Sequence, residues 1–175
     1  DMKRNRARFS GALSGQVLGM IFQKSSTRTR VSFEVGMAQL GGRALFLSAK
    51  DIQIGRGEPI SDTGQVLSRY LDMLMIRTFQ HAEVEALAAA SMVPVINGLD
   101  DLMHPCQVLA DLMTMEERLG SLPGKQLVYV GDGNNMAHSL MLGGARAGVH
   151  VRIITPEGYE PAPTILQLAR EAGKA

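Results

Sequence analysis

Phe22-Gln23-Lys24-Ser25-Ser26-Thr27-Arg28-Thr29-Arg30 decides the fold. The run that leads into it, Val17–Phe22, is continuously apolar, which suits a strand covered on both faces. The run that leaves it has helical period over residues 28–41. There Val31, Val35 and Ala38 lie beside Phe33, Met37 and Leu40 as a broad apolar face. A buried strand that passes through a polar turn into a helix is half of a βαβ unit.

The same unit recurs outward along the chain. Strands are expected at Ala44–Leu47, Met73–Ile76, Val93–Ile96, Leu127–Val130 and Val151–Ile154, and helices at about 61–71, 82–91, 104–119, 135–147 and 163–172. This alternation predicts an α/β fold of two doubly wound parallel-sheet domains. Gly-Ser-Leu-Pro-Gly-Lys at 120–125 breaks the pattern after a long helix, which divides the chain into 1–119, closing on an interdomain helix at about 104–119, and 120–175. Four strands precede the break and two follow it, so the second domain is expected to be incomplete.

The opening turn also carries the first candidate chemistry. Backbone N–H groups in a helix's first turn are unpaired and point out along the axis, so they suit an anion. Ser26, Thr27 and Thr29 add hydroxyl donors, and Arg28 adds a planar guanidinium matched to phosphate oxygens. An ordinary Ser/Thr cap followed by two surface arginines is the plainer account, but capping uses only one hydroxyl.

Three further places stand out. His104-Pro105-Cys106-Gln107 opens a helix, with proline at its first position. His104 and Gln107, three residues apart, can address one polar ligand, the imidazole donating to a carbonyl and the carboxamide accepting from an amide. The alternative is a helix cap, and Cys106 suits packing better than nucleophilic attack. Val130-Gly131-Asp132-Gly133-Asn134-Asn135 half-resembles a dinucleotide fingerprint, but Met136 occupies its third glycine position. Asn134 and Asn135 can therefore cap a helix or offer amides to a ligand. Arg77 ends the third strand at the carboxyl edge, where ligands of open α/β sheets bind.

Composition narrows the classes. The 175 residues are 45% hydrophobic with net charge +1, which favours neither wholesale nucleic-acid nor membrane-surface binding. The basic cluster Lys3, Arg4, Arg6 and Arg8 reads as a solvated approach to the first strand. One cysteine allows no intrachain disulfide and fits a reducing cytosol. No apolar run reaches the roughly 20 residues of a membrane helix.

Together, Ser-Thr-Arg-Thr-Arg at 26–30, Arg77, and His-Pro-Cys-Gln at 104–107 resemble the aspartate/ornithine carbamoyltransferase family. The resemblance runs from about residue 10 to residue 175. It implies that Ser26, Thr27, Arg28 and Thr29 hold the phosphate of carbamoyl phosphate, and that Arg77, His104 and Gln107 hold its carbamoyl group, with Arg28, Arg77 and His104 as the catalytic set. Gln53, in Asp-Ile-Gln-Ile-Gly, matches a loop position lent to the neighbouring subunit's site. Gly-Asp-Gly-Asn-Asn at 131–135, followed by His138-Ser139, resembles the ornithine branch, in which Asn135 would contact the amino acid.

The implied reaction is carbamoyl transfer to the δ-amine of L-ornithine, giving L-citrulline and phosphate. The implied setting is a cytoplasmic homotrimer of arginine biosynthesis, with no metal, cofactor, nucleic acid or membrane. Transfer to aspartate or another amine, and a non-catalytic phosphate-binding α/β module, are the alternatives. Gln23 departs from the family's Phe-Glu-Lys, and the Asp…Ser-Met-Gly and His-Cys-Leu-Pro motifs of the ornithine site do not occur in these 175 residues.

Overall fold

The computed structural model describes residues 2 and 4–174; Lys3 of the basic cluster lies outside them. A four-residue helix α1 (Arg6–Phe9) leads to β1 (Val17–Phe22), α2 (Thr27–Gln39), β2 (Arg43–Ser48), a 3-10 turn (Gln53–Arg56), α3 (Ile60–Leu67), β3 (Met73–Arg77), α4 (His81–Ala90) and β4 (Val95–Leu99). There follow α5 (Pro105–Leu119), β5 (Gln126–Val130), α6 (Asn135–Arg146), β6 (His150–Ile154) and α7 (Pro163–Ala172). The chain forms two compact units, residues 1–98 and 99–175. Helix α5 packs into the second of these units, where Val108 and Leu112 are buried with Leu140 of α6 and Val149.

In the first unit the strand order is β2-β1-β3-β4, with β1 parallel to both β2 and β3. Side chains alternate across a strand, and both faces of β1 and β3 are covered. Leu18, Met20, Phe22 and Met75 pack with Met37 and Phe33 of α2. Ile21, Leu74 and Ile76 pack with Val84 and Leu87 of α4 and with Ile60 and Leu67 of α3. Burying each such Leu or Ile contributes about 1.5–3 kcal/mol, and a one-residue slip would swap the faces of the whole strand.

Strand β4 begins at Val95 and runs through Asn97 and Gly98, later than the apolar run 93–96 suggested. Glycine is required in it: a Cβ on Gly98 would lie 2.5 Å from the Met75 sulfur. Helix α3 stops at Leu67 rather than 71, because the Ser68 hydroxyl donates to the Gly64 carbonyl and accepts from the Met92 N–H. The segment between β2 and α3 is pinned to the core by Ile52 and Ile54, while Gln53 between them is exposed.

The second unit holds β5 and β6, paired in parallel. Leu127, Tyr129, Val151 and Ile153 face inward, against α5, α6 and α7. The opposite face presents Val128, Val130 and Ile154, all about half exposed or more. Among the described residues the second sheet is therefore covered on one face, unlike the first.

Candidate anion site

The turn after β1 folds as its residues dictate. Ser26 adopts extended backbone and caps α2, its hydroxyl accepting the Thr29 N–H at 3.2 Å. One hydroxyl is thereby used, which leaves Thr27 and the first-turn N–H groups at the helix end. Arg28 is exposed in this first turn. Arg30, one turn face away, is occupied: its guanidinium stacks 3.7 Å over the Phe46 ring and bonds Glu34 at 3.0 Å.

Arg77 closes β3, and its Nη1 donates to Thr29 Oγ1 at 3.4 Å. Its Nε is buried without a hydrogen-bond partner. Burial, and next the nearby Arg28 guanidinium, push the Arg77 pKa below the ordinary arginine value. Two cations that repel one another, one of them half-buried with an unused donor, call for a negative charge between them. Because β2 and β3 flank β1, the strand order reverses at this point, and the crevice outside such a switch point is where open α/β sheets take ligands.

A cavity of about 440 Å³ opens on the other side of the same turn, lined by Ser25, Ser26, Thr27, Arg30, Phe46 and Lys50. Arg28, Thr29 and Arg77 do not line it. The charge cluster marks the anion position better than the cavity, because only the cluster has an unpaired buried donor. Lys50 was not singled out from sequence; its position just beyond the end of β2, on the same carboxyl edge, was the available signal. Gln53 lies apart from both places, facing a separate cavity with Asp51, Glu58 and Thr63.

In the second unit, His104 caps α5 and Gln107 lies in its first turn. The Gln107 amide donates to Asp111 at 2.8 Å along the helix surface. His104 is set by its neighbours: its backbone N–H donates to Ser139 Oγ at 2.7 Å. The loop before it is folded by Asp100, fully buried, whose Oδ1 accepts the N–H groups of Leu102 and Met103 at 2.8 and 2.6 Å. Asn135, expected to meet an amino acid, donates through Nδ2 to the Asp100 carbonyl at 2.7 Å. Asn134 takes the capping role, accepting from Met136 and Ala137.

Buried His138 spans the same loop. Its Nε2 accepts the Ala162 N–H at 3.0 Å, so Nδ1 carries the proton and faces the Leu102 carbonyl at 3.0 Å. Asp100, His138 and Ser139 thus hold the approach to His104; none was given this role from sequence, because the contacts of His138 with Leu102 and of Ser139 with His104 join residues about 35 apart. Gly133 serves close approach to Glu160 and Pro161, with its N–H on the Tyr159 carbonyl at 2.7 Å, rather than a nucleotide. Burial pushes the Cys106 thiol pKa up, against nucleophilic use.

Comparison with known proteins agrees with these motifs. A family model described as aspartate/ornithine carbamoyltransferase, carbamoyl-P binding domain, matches residues 1–117, and one described as aspartate/ornithine carbamoyltransferase, Asp/Orn binding domain, matches residues 123–175. An ornithine carbamoyltransferase of Listeria monocytogenes is 57% identical over 98% of the chain and 56% of its own length. One from Oceanobacillus iheyensis is 63% identical over 90% of the chain and 49% of its own length.

Among solved structures, ornithine carbamoyltransferase from Pyrococcus furiosus superposes with a TM-score of 0.93 at 53% identity, covering 99% of this chain and 56% of that one. The enzyme from Giardia lamblia gives 0.88 at 30% identity, covering 98% and 57%. The chain spans about half the length of the curated relatives it matches. On its motifs, its parallel sheets and these matches, the chain belongs to the aspartate/ornithine carbamoyltransferase family.

Proposed function

We propose that the protein containing this chain transfers the carbamoyl group of carbamoyl phosphate to the δ-amine of L-ornithine. The observation that carries the reading is the partnerless buried Nε of Arg77 beside Arg28 and Thr29 at the start of α2. Phosphate placed there meets the guanidinium of Arg28, the free first-turn N–H groups and the hydroxyl of Thr27. By the family resemblance, Arg77, His104 and Gln107 take the carbamoyl group.

The chemistry needs no covalent intermediate. A neutral amine attacks the carbonyl carbon, charge gathers on the carbonyl oxygen, and phosphate departs with the bonding pair and takes up the proton that the attacking nitrogen sheds. Catalysis comes from positioning and from cations held where that charge develops. The δ-amine resembles lysine, with a free pKa of about 10.4, so the site must take or create its minor neutral form. Asn135 belongs to the ornithine side of this reading. The accompanying assembly is a homotrimer in which Gln53 reaches a neighbour's site, and the setting is cytoplasmic arginine biosynthesis.

The test has two arms. Calorimetry should show that the 175-residue chain binds carbamoyl phosphate while forming no citrulline, since one amide cannot orient both ends of ornithine, and lost orientation can cost roughly 7–11 kcal/mol. A longer protein that joins this chain to the Ser-Met-Gly and His-Cys-Leu-Pro motifs should form citrulline in a colorimetric assay. Absence of citrulline there, with both substrates saturating, overturns the reading.

A further inference from the structure

Gln23, just past the end of β1, is not idle. Its Nε2 donates to Glu83 Oε2 at 3.1 Å, and the hydroxyl of fully buried Thr78 donates to the same oxygen. Glu83 stands in the first turn of α4, where the helix dipole favours a carboxylate. Gln23 and Thr78 are the residues immediately after β1 and β3, and the Gln23 N–H also donates to the Arg77 carbonyl at 2.9 Å. A single carboxylate oxygen therefore receives one donor from each strand end that carries anion ligands. Arg77 lies between the two fastened points.

We propose that Glu83 is a positioning residue that holds Arg77 through Gln23 and Thr78, and that Gln23 and Glu83 are a matched donor–acceptor pair. The inference rests on the reading of Arg77 as an anion ligand. A carboxylate only accepts, so its partner at 23 must donate, and glutamine does. Hydrogen bonds to a charged acceptor are about twice as strong as neutral ones. Glutamate at 23 would set two carboxylates on one another in place of the bond, and Thr78 would be left to satisfy Glu83 alone. The arrangement gives Arg77 a fixed backbone while its guanidinium stays available, since the clamp uses none of its side-chain donors.

The experiment reads Arg77 directly, by the Nε–H resonance of the nitrogen-labelled chain, assigned with Arg77→Lys. Gln23→Glu should displace or broaden that resonance and weaken inorganic phosphate binding about fivefold. The exchange Gln23→Glu with Glu83→Gln restores a donor facing a carboxylate with reversed polarity. It should return both readouts to near the unaltered chain. Glu83→Gln alone keeps volume and one acceptor, so it should give a smaller displacement and serves if Gln23→Glu does not fold. An unmoved Arg77 resonance in the single variants, or no recovery in the exchange, overturns the clamp. If phosphate binds none of the proteins, the anion-site reading fails, while the resonance still decides the clamp.

Discussion

Arg77 Nη1 donates to Thr29 Oγ1 at 3.4 Å, tying the end of β3 to the first turn of α2. Thr29→Val keeps the shape and removes the acceptor. It should weaken phosphate binding by about 1 kcal/mol, roughly fivefold, because Arg77 loses its one neutral guide. Arg77→Lys should cost more, since an ammonium lacks the planar fork. Titration calorimetry with inorganic phosphate checks both, and equal affinities across the three proteins would remove Arg77 and Thr29 from the site.

Arg28 and Arg77 repel one another, so Arg28→Ala should separate binding from stability. Phosphate affinity should fall by roughly 1.5–3 kcal/mol, the range for a hydrogen bond to a charged group. The melting temperature without phosphate should hold or rise, because the neighbour that depresses Arg77 is gone. Thermal melts with and without phosphate read both effects. A melting temperature that falls with affinity unchanged would make Arg28 a structural residue.

Gln53 is exposed between two isoleucines that anchor its turn, so it can be replaced without disturbing packing. In the full enzyme, mixing Gln53→Ala subunits with Arg28→Ala subunits should regenerate some intact sites if Gln53 acts in a neighbour's site. Activity no higher than that of the separate variants would place Gln53 outside catalysis.

The buried hydroxyl of Ser139 takes the His104 N–H at 2.7 Å. Ser139→Ala leaves that donor without its partner in a half-buried place, a loss of about 1–3 kcal/mol. Urea unfolding should show a lower midpoint with an unchanged slope. A midpoint equal to that of the parent chain would mean that the loop ahead of α5 does not depend on this bond.

Cys106 is half-buried, and burial raises its thiol pKa. The thiolate is the reactive form, so a raised pKa means a smaller reactive fraction at neutral pH and a rate that climbs only at higher pH. Iodoacetamide should modify Cys106 more slowly than a free cysteine at neutral pH, and the rising limb of its rate–pH profile should lie above that of the free thiol. A limb at or below the free value would contradict the burial argument.

Much of this was written locally. Val17–Phe22 is apolar at every position, and the Ser/Thr cluster after it supplies both the cap of α2 and the anion-facing hydroxyls; strand, turn, helix start and candidate ligands follow from nearest neighbours along the chain. Arg77 could be placed as well, because a strand that ends in arginine needs only its own residues to be recognised. The halt of α3 at Leu67 was not legible, since Ser68 answers to Met92, 24 residues on in the connection between α4 and β4. Nor was the close approach of Gly98 in β4 to Met75 of β3.

Periodicity and motif are properties of consecutive residues, so the sequence alone determined the α/β alternation, the helix caps and the family. Which donors would be consumed was decided only in three dimensions. Asn135 spends its amide on the Asp100 carbonyl, Gln107 on Asp111, and Gln23 on Glu83, whereas Arg77 keeps its Nε unspent. A polar side chain's role depends on which partner reaches it first, and all but Asp111 of those partners lie 35 or more residues away, brought near by the burial of β1, β3 and α6.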